Sequence, residues 1–267
     1  MQRLLLFLLV AIQVSVSAQE SSKPYTLFNP TPRAEMREFS IDRPDVTESP
    51  ISVDPGHFQF EGDLVKVTRA STDEQVINIF SGLYKMGLTK SWDLQLGLEL
   101  HNIYQDSEGN TVDKGYGSTI IRLKHNFWGN DGESRTAFGM IPYVSFPSGN
   151  PLKFRSDVSF GIGFPFSYDV SEKVGIGAQA QFDFIPDGEG SRDLGFFQTV
   201  VVGGPLVGKL DYFLEGLATF YDGHSIFNLD GGLIYNISDN VKVDIATNLG
   251  ISEEAPTRVY LGLSFRI

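Results

Sequence analysis

The sequence predicts an all-β protein: a transmembrane, up-and-down antiparallel β-barrel of about twelve strands. Three observations carry this. Apolar and polar residues alternate with period two in runs of about ten residues, the length a tilted strand needs to cross a bilayer. The connections between runs alternate long and short. Finally, Gly 28 and 12% aromatic residues accompany a mean hydropathy of only -0.08, which excludes a bundle of membrane helices.

Composition removes several function classes at once. A net charge of -12 (Lys+Arg 21, Asp+Glu 33) opposes nucleic-acid binding, which needs basic surface. Cys 0 excludes disulfides, thiol catalysis and cysteine-ligated zinc. Four histidines, scattered along the chain, leave little for a metal cage.

The elements follow in order. Residues 1–18 read as a secretory signal peptide: Arg3 supplies the charge, Leu4 to Ile12 the apolar stretch, and Val16-Ser17-Ala18 the small-residue cleavage site. The stretch is too short to span a membrane as a helix. Residues 19–56 form an extended N-terminal segment, expected in the periplasm, and 57–267 the barrel. Strand 57–68 comes first, then 76–88, where neither parity keeps apolar residues on one side. The third is the clearest: Trp92, Leu94, Leu96, Leu98 and Leu100 enclose Asp93, Gln95, Gly97 and Glu99. After 117–128 and 135–146, Val158 to Tyr168 and Val174 to Phe184 alternate equally well. The set closes with 194–203, 209–220, 226–237, Val241 to Leu249 and 258–267.

Long outer loops are expected at 69–75, 105–116, 147–155, 186–193, 221–225 and 252–257. Tight turns are expected at Thr89–Ser91, Gly129–Ser134, Asp169–Glu172, Gly204–Gly208 and Ser238–Asn240. Aromatic residues near strand ends suit interfacial girdles, with Trp92, Trp128, Tyr168 and Tyr235 at one end. Tyr104, Phe146, Phe184 and Tyr221 stand at the other. The last strand, with Val259, Leu261, Leu263, Phe265 and Ile267, has the pattern that barrel-assembly machinery reads. A secreted β-sandwich also alternates, but needs strands about half as long.

Polar residues between the apolar ones are expected to line the lumen: Glu61, Asp63, Lys85, Glu99, Arg122, Lys124, Asp183, Asp211, Glu215, Asp230, Lys242, Asp244 and Arg266. Both signs occur, so ion pairs across the interior are expected. A conducting lumen and a salt-bridged filling remain equally open on this pattern. No catalytic residues are expected. His125 has lipid-facing parity but no serine partner, and Asp222-Gly223-His224-Ser225 lies in a loop. Asp106 with Glu108, and Asp187 with Glu189, are acidic loop tips rather than cation cages. No cofactor, metal or nucleic acid is expected. Partners would be outer-membrane lipid, a small-molecule solute and, during biogenesis, the assembly machinery.

The segment before the barrel is distinctive. Asp42-Arg43-Pro44-Asp45-Val46-Thr47-Glu48-Ser49-Pro50 is too charged and too proline-rich for a simple linker. Asp42, Arg43 and Asp45 are candidates to plug the near mouth, with Arg43 meeting Glu61 or Asp63. The same residues carry a resemblance. Together with Pro55-Gly56, Tyr84-Lys85-Met86-Gly87-Leu88-Thr89, Asp230-Gly231-Gly232 and Gly262-Leu263-Ser264-Phe265-Arg266, they resemble the outer-membrane transporters associated with the phenol-degradation meta-pathway. That resemblance runs from about residue 38 to the end. It implies a porin-like barrel in the outer membrane of a two-membrane bacterium that passes small molecules, aromatic or hydrophobic ones among them. The alternative is a plugged barrel with a structural or surface-interaction role.

Overall fold

A computed structural model describes residues 24–147, 157–187 and 190–267. The expected signal peptide, most of the 147–155 loop and Glu189 lie outside them. The chain forms strands β1 (Phe58–Arg69), β2 (Gln75–Thr89), β3 (Trp92–Gln105), β4 (Thr111–Gly115), β5 (Thr119–Trp128), β6 (Thr136–Phe146) and β7 (Ser159–Ser171). They continue as β8 (Val174–Pro186), β9 (Arg192–Val207), β10 (Leu210–Tyr221), β11 (His224–Ser238), β12 (Val241–Gly250) and β13 (Thr257–Arg266). Each barrel strand pairs antiparallel with its neighbours, and β1 meets β13 to close the ring. The result is a closed barrel of twelve strands with β4 as an extra one.

The alternation works as an inside-out core. Leu94, Leu96, Phe160, Phe184, Val200, Leu214, Leu233 and Ile245 point outward and stay exposed. Between them Asp93, Gln95, Gln179, Thr199, Glu215, Asp230, Asp244 and Ser264 are buried. Water would penalise so continuous an apolar exterior, whereas lipid requires it. Neighbouring outward rings pack across strands, as in Phe160–Phe184 (5.0 Å) and Phe182–Phe196 (4.9 Å).

The structure departs from the sequence reading in specific places. The 105–116 loop contains β4, which pairs beside the end of β3 from Asn102 to Gln105. The expected turn at Gly204–Gly208 is strand as far as Val207, and Gly208 makes the turn with φ 60°. Likewise β7 runs on to Ser171. The expected long loop at 221–225 is a tight turn of Asp222 and Gly223, both at positive φ, which matches strand twist. The 129–134 connection is the bulkier one at its mouth. There Asp131 accepts the N–H groups of Glu133 and Ser134, which hold its carboxyl down at about 2.

One irregularity reverses the alternation itself. Leu64, Phe80 and Leu100 drop out of the pairing together, in β1, β2 and β3. Phe80 sits there at φ 54°. An unpaired residue flips every later side chain to the other face. Inward-facing positions therefore run Asp63 then Lys66, Ser81 then Asn78, and Glu99 then Asn102, with Asn78 donating to Asn102 at 2.8 Å. This is why 76–88 fits no single parity. It also turns Tyr104, expected in a girdle, toward Asn102 inside the barrel (3.4 Å). Tyr221 likewise turns inward, its hydroxyl donating to Asp193 at 3.2 Å.

Candidate functional site

The interior is occupied by the chain's own N-terminal segment. It enters beside the β2–β3 turn, where Thr26 bridges to Thr89 and the Leu27 N–H reaches the Leu88 carbonyl at 2.9 Å. His57 ties this entry to the barrel wall, with Nε2 at 2.7 Å from the Thr31 carbonyl and Nδ1 at 3.1 Å from that of Ile267. Arg37 pairs with Asp54 at 2.7 Å. Phe39, 3% exposed, lies under the cations of Lys242 (5.5 Å) and Arg266 (5.3 Å).

Residues 42–53 then meet strands around the ring. Asp42 accepts from Lys85 at 2.5 Å and Lys124 at 2.9 Å, while its N–H donates to Glu61 at 2.7 Å. Lys85 also pairs with Glu61. Arg43 forks onto Asp244 (2.9 and 2.7 Å) and reaches Asp63 at 2.8 Å. The Val46 and Thr47 N–H groups donate to the two oxygens of Glu215, each at 2.8 Å. Glu48 pairs with Arg122, and its N–H donates to Gln179 at 2.8 Å. Asn126 donates to the Pro50 carbonyl at 2.9 Å, and the Val53 N–H to Asp93 at 3.0 Å. Most of the segment's own polar groups are thus satisfied by the wall, as burial demands.

Glycines let the segment come this close. A Cβ on Gly87 would lie 2.0 Å from the Asp54 carbonyl oxygen, and one on Gly177 3.1 Å from Thr47 Cγ2.

The charges on the segment are not treated alike. Burial opposes ionisation of Asp42, but Lys124 and Lys85 overcome it and hold its carboxyl well below the usual carboxylate range. Burial also works against the Arg43 cation, yet Asp244 and Asp63 raise its affinity for the proton. Asp45 has no cation partner among the described residues. Burial, then Glu215 opposite, push its carboxyl well above the usual range.

Among the other residues that the sequence singles out, Glu99 accepts from Asn102 (2.9 Å) and caps the Ser118 N–H (3.2 Å) at the far end. Asp183 accepts from Tyr143 and Gln181. Asp230 accepts from Asn248 at 3.1 Å and Tyr260 at 2.6 Å, and Asp211 accepts from Asn236 at 2.6 Å. His125 stacks on Trp92 at 4.0 Å, and Asp106 caps its own turn through Glu108 and Asn110. Several wall partners escaped the sequence reading because they are uncharged or aromatic: Thr199, Gln179, Asn126 and Tyr260. Tyr260 had a signal, an aromatic residue at interior parity between Val259 and Leu261.

Cavities remain beside the segment. One of about 720 Å³ lies on the far side, lined by Asp45, Glu48, Arg122, Asp183, Asp230 and Arg258 among others. Another of about 660 Å³ opens at the near mouth, between Phe39, Asp211, Lys242 and Arg266. A third of about 380 Å³ shares Arg43, Asp45 and Glu48 with the first, and Glu38, Pro205 and Asp211 with the second. The three lie in series along the wall of β8 to β10, where Gly175, Gly177, Gly203 and Gly204 leave room. Among the described residues no group of three or more His, Asp or Glu side chains is arranged to hold a metal ion.

Residues 41–267 match the family described as "Putative MetA-pathway of phenol degradation". No curated protein matches the chain. Among solved structures it is similar to the NanC porin, with TM-score 0.56 and 10% identity, over 77% of this chain and 98% of that one. It is also similar to an outer membrane channel from Pseudomonas putida F1, with TM-score 0.53 and 12% identity, over 85% and 100%. The KdgM porin in complex with disordered oligogalacturonate gives TM-score 0.51 and 10% identity, over 78% and 98%. At such identities the likeness is one of fold.

Proposed function

The chain belongs to this phenol-degradation family, and from that premise we propose that it is an outer-membrane channel for small molecules, with residues 38–53 narrowing its lumen. The observation that carries the reading is the series of cavities left beside a segment otherwise clasped to the wall. The apolar exterior and the strand lengths support placement in an outer membrane. With no nucleotide-binding loop in the sequence, movement would be diffusion down a gradient. Width would exclude large solutes, and the charged lining would choose among small ones. The family's association with phenol degradation supports aromatic molecules as cargo.

A plugged, purely structural barrel is the competing reading, favoured by the number of ion pairs that pin the segment. Single-channel recording in a planar bilayer separates the two. Steady current from the intact protein, increased when residues 24–53 are deleted, is the expected result. Current only after deletion would make the segment a plug. Silence from both would overturn the channel.

A further inference from the structure

We infer that the constriction between the two larger cavities is cation-selective, and that its solutes are small organic cations with an apolar body. The inference rests on the channel reading above. It starts from an imbalance of charge. The interior cations nearest the segment are spent in pairs: Lys85 and Lys124 on Asp42 and Glu61, Arg43 on Asp63 and Asp244, Arg122 on Glu48.

Asp45 has none among the described residues. The charged groups facing it are Glu215 on β10, Asp230 on β11 and Asp42 on its own segment. It stands where the far cavity meets the connecting one, lining both together with Arg43 and Glu48, whose charges are held in ion pairs. Any solute taking this route passes its carboxylate.

A second observation points to a missing donor. Asp230, only 1% exposed, lines the same far cavity, and its Oδ1 has no hydrogen-bond partner although Oδ2 has two. A buried carboxylate oxygen left unpaired is costly, and a donor entering the cavity would relieve it. Arg258 stands close enough to Asp230 to act on it electrostatically, yet its hydrogen bond goes to Asn248 at 3.2 Å. Leu83, Leu98, Ile120, Phe197, Leu217 and Ile226 form the apolar parts of that cavity's wall, while its other cations Arg43, Lys66 and Arg122 are held in ion pairs. Acidic groups beside apolar side chains fit an ammonium or guanidinium group on an alkyl or aryl body. A bare metal ion fits worse, since no set of ligands converges among the described residues.

The test is the reversal potential of the full-length protein in a bilayer at pH 8 under a potassium chloride gradient, repeated with phenethylammonium chloride and with sodium benzoate. The expected potential has the sign of cation permeation, with phenethylammonium carrying current and benzoate carrying little. Asp45→Asn, which keeps the side chain's size, should shift the potential toward zero while conductance persists. Current with no cation preference, or a preference that Asp45→Asn leaves unchanged, overturns the inference while the channel stands. No current with any of the three salts overturns the channel reading, and this inference with it.

Discussion

Arg43 is planted on Gly262. In the strand register Gly262 lies between Asp63 on β1 and Asp244 on β12, and the guanidinium covers it while forking to both carboxylates. A Cβ there would fall 1.8 Å from Arg43 Nη2. Gly262→Ala should therefore lift Arg43 off its acids while leaving the strand pairing in place. Breaking a buried pair costs about 3–5 kcal/mol. The expected readout is faster protease cleavage within residues 30–55, with the heat-resistant migration of the barrel retained.

Arg43→Lys should fail to rescue the same contact. An ammonium is a single point, whereas the observed geometry uses three nitrogens on two separated carboxylates. Conductance noise and protease sensitivity should both exceed the wild type's, and Arg43→Lys combined with Gly262→Ala should be little worse than Gly262→Ala alone.

Acid should undock the segment late. Asp42 has a carboxyl held well below its ordinary 3.8, so its contribution is fully present above 3.8 and is lost as pH falls through the lowered value. Pepsin cleavage of residues 38–53 should be negligible at pH 5 and appear only well below 3.8. Asp42→Asn should expose the segment at neutral pH, since it strands the buried Lys124 and leaves Lys85 with Glu61 alone.

Asp45 acts with the opposite sign. Its carboxyl is raised above 3.8, so docking gains from its proton at low pH, and that gain fades as pH rises through the raised value. Burial sets this first, then the nearby acids Glu215, Asp42 and Asp230. Asp45→Asn should slow protease cleavage of the segment at pH 8 relative to wild type and make no difference near pH 3. Equal cleavage rates at pH 8 would count against the charge reading of this residue.

The barrel was legible because membrane strands obey a strict rule: one face greasy, the other polar, for the whole crossing. Asp93 and Gln95 between leucines, or Gln179 and Gln181 between alanines and phenylalanines, leave no freedom. The segment's docking against the wall was legible in outline from the density of proline and charge around Arg43. What escaped was everything decided by depth. The misfit of 76–88 marks the slip at Phe80, but not its coordination with Leu64 and Leu100, which is a property of three strands at once. Nor can spacing distinguish Asp42, which gains two cations, from Asp45, which gains none. The floor that Gly262 offers Arg43 depends on two neighbouring strands meeting β13, and β4 on the end of β3 folding back.

The partners of the segment are also far away in time. Arg43 is separated by 201 residues from Asp244, and Thr47 by 168 from Glu215. Contacts of such separation form late, because the chain between them must be ordered first. The Arg43 seat in particular needs β1 already joined to β13, so it does not exist on an open sheet. A docked segment is therefore a certificate of completed assembly: a barrel that stalls before closure leaves residues 38–53 hanging in reach of proteases, and a finished one withdraws them.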